Sequence, residues 1–140
     1  MQVRAMTMED YDKVYELWAC TPGVGLSAAD DARAGIERFL RRNPRSCFVA
    51  QEGGRLTGTI LSGHDGRRGH IYHTAVHPDF RRRGVGRALV HAAMEALEAE
   101  GIAKTMLVVF KANAGGNEFW ESLGFTVRDD LVYRNKALDT

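Results

Sequence analysis

Gly84 and Gly86, set among Arg81, Arg82, Arg83 and Arg87, are the residues whose types and spacing point most directly to chemistry, because together they can grip an anion. Glycines remove side chains where backbone N–H groups must face a ligand. Arginines add charge-assisted bonds to phosphate oxygens. A helix opening here would contribute its first amides and its dipole to the same attraction. The segment Phe80–Arg87 is therefore expected to hold the phosphates of a bound cofactor, and a diphosphate fits. The competing reading is a glycine-rich start to a surface helix with a solvated arginine run, and only the flanking elements separate the two.

His70, His73 and His77 form a second cluster. Their spacing would suit metal binding on a helix, but the segment reads as a strand, where His70 and His73 face opposite ways, so no metal site is expected. Cys20 and Cys47 are too few for a thiolate framework and are expected to be thiols in or near the core. Cys20, at a helix end beside a pocket loop, would be the nucleophile of the two, yet nothing local lowers its pKa.

These groups need elements to hold them. Residues 2–5 read as a strand, and Thr7-Met8-Glu9-Asp10 as a capping box before a helix whose apolar face is Tyr11, Val14, Leu17 and Trp18. Ser27–Asp30 repeats the cap ahead of one further helix carrying Ile36, Phe39 and Leu40, which Asn43-Pro44 ends. Residues 46–50 and 55–62 pair about Gly53-Gly54, and His70–Val76 follows another turn. A long amphipathic helix opens near Gly84 and closes at Gly101. Ala103–Phe110 returns as a strand, which makes a parallel crossover with the preceding one. A helix over Ala114–Leu123 and two closing strands, Phe125–Val127 and Leu131–Lys136, complete a mixed sheet with helices on both faces. Two named phosphate motifs do worse than this arrangement. The glycines lie too far beyond the strand for a dinucleotide fingerprint, and no Gly-Lys-Ser or Gly-Lys-Thr triplet occurs.

At this point the chain resembles the GNAT superfamily of N-acetyltransferases. Arg81-x-x-Gly84-x-Gly86 matches its acyl-CoA signature, Val76–Phe80 its fourth strand and exit, and Asn113 with Phe119–Phe125 its later helix and loop. Gly63-His64-Asp65-Gly66-Arg67-Arg68-Gly69 further resembles a subgroup of small bacterial members. The likeness runs through nearly the whole chain in the family's order. It implies a single acyltransferase domain over 1–140, with a largely antiparallel central sheet whose parallel strands 4 and 5 splay apart. It also implies acetyl-CoA as acyl donor and no metal. Arg81, Arg82, Arg83, Gly84, Val85, Gly86 and Arg87 would receive the diphosphate, Ala75 and Val76 would hold the pantetheine arm or thioester carbonyl, and Asn113 and Trp120 would flank it.

The reaction so implied is attack of a primary amine on the acetyl thioester, through an oxyanion, with thiolate departing. An amine of pKa ~10 must lose its proton first, whereas a thiol of pKa ~8–9 needs little acid help. His70, Tyr72 and His73 are the catalytic candidates, with His64 or Asp65 across the hairpin. Strand alternation puts His70, Tyr72, Thr74 and Val76 on one face and Ile71, His73 and Ala75 on the other. His70 can act directly and Tyr72 can order water; His70 could equally be a solvated strand start, and His73 could simply pack in the sheet. Many members carry tyrosine as acid where this chain has Trp120, whose indole only donates a hydrogen bond. Tyr133, water or direct departure of the thiolate stand in its place.

The acceptor would enter over the first two helices, past Pro22–Leu26, with Tyr15, Trp18 and Phe39 as lining. A small-molecule amine, an amino acid or a peptide all remain open. The net charge of +1 disfavours a nucleic-acid partner, since such domains carry a marked basic excess. No apolar run approaches the ~20 residues of a membrane span, and the first residues lack a signal peptide's pattern, so a cytoplasmic location is expected. A homodimer through late-strand exchange or sheet extension is compatible with such a fold. Two other functions stay open: a non-catalytic acyl-CoA sensor, and a polyanion-binding module.

Overall fold

Strands β1 (Gln2–Ala5), β2 (Phe48–Glu52), β3 (Arg55–His64), β4 (Gly69–Val76) and β5 (Thr105–Met106) lie in one sheet in chain order. Neighbours are antiparallel except β4 and β5, which the α4 crossover (Val85–Ala99) makes parallel. The computed structural model describes residues 1–138, so Asp139 and Thr140 of the expected 1–140 domain lie outside the described residues.

Each face of the sheet is covered because the helices carry matching apolar stripes. Tyr11, Val14, Leu17 and Trp18 of α1 (Tyr11–Ala19), with Ile36 and Leu40 of α3 (Arg33–Arg42), pack on Cys47, Val49, Leu61 and Ala75. On the other side Val85, Leu89, Val90 and Ala93 of α4 pack on Ala50, Ile60 and Ile71. Phe119, Trp120 and Leu123, at and just after α5 (Ala114–Ser122), close the edge of that second core. Each fully buried leucine or valine contributes roughly 1.5–3 kcal/mol. The first cap forms as expected, the Thr7 amide donating to Asp10 Oδ2 at 2.9 Å, and Arg4 then locks Asp10 through two bonds of 2.8 and 2.9 Å.

The structure departs from the sequence reading in three places. The helix expected from Ser27 to Leu40 is two: α2 (Ala28–Asp31) ends at Ala32, whose ψ of 162 is extended, and α3 begins anew. Gly35 permits the sharp bend, since a Cβ there would lie 2.4 Å from the Asp30 carbonyl oxygen. Second, β5 is only Thr105–Met106, and no strand forms over 125–138. Val127, Val132 and Tyr133 are residue types that strands favour, yet these and Leu131 are all exposed and no ladder partner meets them among the described residues. Arg128 closes the bend there by holding both carboxylate oxygens of Asp130 at 2.8 Å.

Third, strict alternation fails in β4. Ser62 pairs with Ile71 and Ile60 with Thr74, so β4 spends three residues where β3 spends two. Such a bulge turns consecutive side chains to one face. Tyr72 packs on Phe39 of α3 and His73 on Trp18 of α1, so both lie on the α1–α3 side. His70 stacks on Tyr72 and joins them, with Ala75, while Ile71 and Val76 face α4. His70 and His73 thus point to the same side, not to opposite sides.

Candidate functional site

The turn before α4 is shaped by two left-handed residues, Arg82 at φ 62 and Gly84 at φ 80. Glycine adopts that conformation freely, but a side-chain-bearing residue holds it at a cost of about 1–2 kcal/mol. Such backbone gathers successive N–H groups into a concavity suited to an anion. Among the described residues the amides of Arg82, Arg83, Gly84, Val85, Gly86 and Arg87 donate to no protein acceptor. Gly86 also lets α5 close, since a Cβ there would stand 3.1 Å from Phe119 Cζ.

The arginines divide by role. Arg81 Nε donates to the Val76 carbonyl at 3.3 Å, and the Arg83 guanidinium lies over the Phe80 ring, 3.5 Å from Glu52. Both therefore brace the turn. Arg82 and Arg87 are exposed and in no ion pair among the described residues, free to meet an anion. Unpaired amides, a helix N-terminus and two free guanidinium groups suit a diphosphate.

Beside this cradle the sheet opens. The β4–β5 ladder consists of Gly69↔Thr105 and His70↔Met106, and from Ile71 onward that edge of β4 has no partner strand. The His77 amide donates to the Thr57 carbonyl at 2.8 Å, so Val76 turns its own backbone away from β3 toward the open edge. Ala75, paired with Thr59, turns its backbone to β3 instead and is buried against the α1–α3 core. The open edge lies directly upstream of the cradle, long enough to admit an extended ligand arm.

On the α1–α3 face, the His70 and Tyr72 rings stack with centroids 4.2 Å apart. Both line a cleft of about 280 Å³ with Phe39 and Met106. Burial pushes the His70 imidazole below its ordinary pKa, so its neutral, proton-accepting form dominates at neutral pH. Burial, then the nearby Asp30 carboxylate and Tyr133, push the Tyr72 phenol up, so it stays protonated and acts as a donor. His73 is held differently. Its Nε2 lies 2.8 Å from Asp31 Oδ1, and Asp31 Oδ2 accepts the Ser27 amide at 2.7 Å. His73 is thus a strut between the end of α2 and the bulge, outside the cleft that His70 lines.

Asn113 and Trp120 flank the far side. Asn113 Oδ1 caps α5 by accepting the Gly116 amide at 2.9 Å, while its Nδ2 abuts Gly23 of the α1–α2 loop. Trp120 sits edge-on between Phe119 and Phe125, half-buried against the α4 core. Tyr133 is exposed. Cys47 is buried and donates to the Ser62 carbonyl, and Cys20 is exposed at the end of α1. The sequence offered Asp30-Asp31 as an attractor for a cationic amine or as stabilisers of a helix's first turn, and Asn43 as a helix stop, and it missed the long-range role of both Asp31 and Asn43. Asn43 is buried, and its Oδ1 takes the His64 amide at 3.0 Å, tying α3 to the β3–β4 hairpin. No local pattern marks either residue, because each acts on a partner distant in the chain.

The model of the acetyltransferase (GNAT) family matches residues 11–125. An acetyltransferase of Photorhabdus laumondii is 37% identical over 144 residues, covering 99% of this chain and 96% of that protein. Among solved structures, Ard1 of Thermoplasma volcanium aligns with a TM-score of 0.80 at 24% identity, over 91% of this chain and 83% of its own. A Mycobacterium tuberculosis protein solved in complex with CoA aligns with a TM-score of 0.71 at 18% identity, over 89% and 70% of the two chains. The two structural likenesses concern the fold: a splayed mixed sheet with helices on both sides.

Proposed function

The chain belongs to the acetyltransferase (GNAT) family and is an acetyl-CoA-dependent acetyltransferase, and from that premise we propose that it carries the acetyl group to a primary amine of a small molecule, amino acid or peptide by direct attack in a ternary complex. The observation that supports this most is the run of unpartnered amides over residues 82–87 beside the opened edge of β4.

In this reading the cradle residues Arg81 to Arg87 bind the diphosphate, the main chain by direct donation and Arg82 and Arg87 by charge. Arg81 and Arg83 keep the turn in shape. The free amide of Val76 faces the slot and is the donor available to a carbonyl oxygen there. Trp120 forms a wall, Ala75 backs the slot from within the α1–α3 core, and Asn113 fixes the α1–α2 loop against the start of α5. Acetyl-CoA supplies the acyl group, and its sulfur, with a thiol pKa of about 8–9, departs without a strong acid.

His70 takes the proton that the amine must shed, directly or through one water. Its burial keeps it unprotonated, and the stacked Tyr72 ring fixes its plane. His73 acts as a positioning residue through Asp31 and does not touch the reacting atoms. The experiment is a thiol-release assay over amines, amino acids and peptides, run beside thermal denaturation with acetyl-CoA. Arg82→Ala is expected to weaken acetyl-CoA protection, and His70→Ala to lower turnover while leaving that protection intact. Full turnover by His70→Ala across pH would remove His70 from the mechanism.

A further inference from the structure

The segment Gly63–Gly69 is built to a purpose that acetyl-CoA binding does not use. Asn43 pins it to the end of α3, and Gly63 allows the approach, since a Cβ there would lie 2.6 Å from the Asn43 side chain. Asp65 Oδ1 accepts the amides of Arg67 and Arg68, both at 2.8 Å, which fixes the loop's conformation. The result sets Arg68, from the hairpin, and Arg42, from α3, on the same cleft as His70. Phe39, Tyr72 and Met106 give that cleft an apolar wall, which strengthens any ion pair formed against it.

The other charged groups lining this cleft are already engaged, and Asp30, near Tyr72, lies outside the lining. Asp65 is held ionised by the two amides it accepts. His64 accepts the Gly66 amide at Nδ1, and its Nε2 lies 3.2 Å from Glu100. Arg42 and Arg68 are in no ion pair among the described residues; Arg68 donates only to the Arg67 carbonyl. The cleft thus places a neutral proton acceptor between apolar walls and beside two unpaired guanidinium groups.

Resting on the acetyl-transfer reading above, we infer that the acceptor carries an anionic group, a carboxylate or a phosphate, a few atoms from the amine that is acetylated, and that Arg42 and Arg68 hold that anion while the amine meets His70. Guanidinium groups pair with either oxyanion in bidentate fashion. A polycationic amine is disfavoured in the same place.

The test is thiol release from acetyl-CoA with matched acceptors: free amino acids against their α-carboxamides, and phosphoethanolamine against ethanolamine. The expected result is a kcat/KM at least about tenfold higher for the anionic member of one pair, carried mainly by KM. Which pair shows the preference tells carboxylate from phosphate. Arg42→Ala and Arg68→Ala each reduce that ratio toward one, and Arg68→Lys keeps part of it. Acetyl-CoA protection against heat, measured on the same samples, reports that each variant is folded. Neutral acceptors turned over as well as their anionic partners overturn the inference, as does a preference unchanged in both alanine variants. Acetyl-CoA protection with no turnover of any anionic acceptor also overturns it. Absence of acetyl-CoA protection in the wild type would instead overturn the acetyl-transfer reading itself.

Discussion

Replacing Gly84 with alanine asks whether the backbone of the cradle, apart from its arginines, sets affinity for the acyl donor. A methyl group at Gly84 would have no heavy atom within 4 Å, so the cost is conformational and comes from its φ of +80. A left-handed alanine costs roughly 1–2 kcal/mol, of which the lost freedom of glycine in the unfolded chain returns about 0.4–1. The variant should lose about 1 kcal/mol of stability, near 4 °C in Tm for a chain of this size. The free variant can relieve the strain by turning residue 84 to negative φ, which rotates the neighbouring amides out of the cradle. Binding must then restore the strained turn, so the Kd for acetyl-CoA should rise by the share of that strain which the free variant escapes, up to about 30-fold for roughly 2 kcal/mol. Gly101→Ala is the control. Its φ of +83 and open surroundings repeat the strain at the opposite end of α4. Thermal denaturation over a range of acetyl-CoA concentrations reads stability and affinity together. Both variants should melt lower, and only Gly84→Ala should bind more weakly. Equal affinity in the two would refute the argument that these amides carry the diphosphate.

Other expectations follow from titrating and buried groups. Because burial lowers the His70 pKa, the unfolded chain takes up that proton first; the folded enzyme keeps its base neutral to below pH 6.5, and kcat/KM should fall only along an acid limb with its midpoint under that value. His70→Ala should remove this limb and lower kcat about 100-fold or more, measured by pH-rate profiles. The Cys47 thiol, pushed up to about 12 by burial, should resist a thiol reagent at pH 8 while exposed Cys20 reacts, giving one titratable thiol natively and two in denaturant. Rapid native reaction of both would contradict the packing around Cys47.

The parts of this account that are local in the chain were legible beforehand. The Gly84-x-Gly86 turn, the amphipathic stripe after it and the Thr7–Asp10 cap are each written within a few neighbouring residues, and each forms as expected. What escaped depends on partners far away. The β4 bulge arises from pairing with β3 and leaves no mark in the alternation of residues 70–76, yet it decides which side His73 faces. The split between α2 and α3 goes with Asp31 turning inward to His73, a partner 42 residues away in the chain. Strand propensity in 125–136 was real but insufficient, since a strand exists only where a neighbour supplies its ladder. The Gly63–Gly69 segment was recognisable as a motif, but its role could be framed only once Asn43 brought Arg68 round to the cleft of His70.

Amide chemical shifts of the isotopically labelled protein, followed while acetyl-CoA is added, test the central claim most directly. The N–H resonances of residues 82–87 and of Val76 are expected to move together and to gain protection from solvent exchange, with one saturation curve. Saturable binding that leaves those resonances in place and shifts another part of the sheet would contradict it.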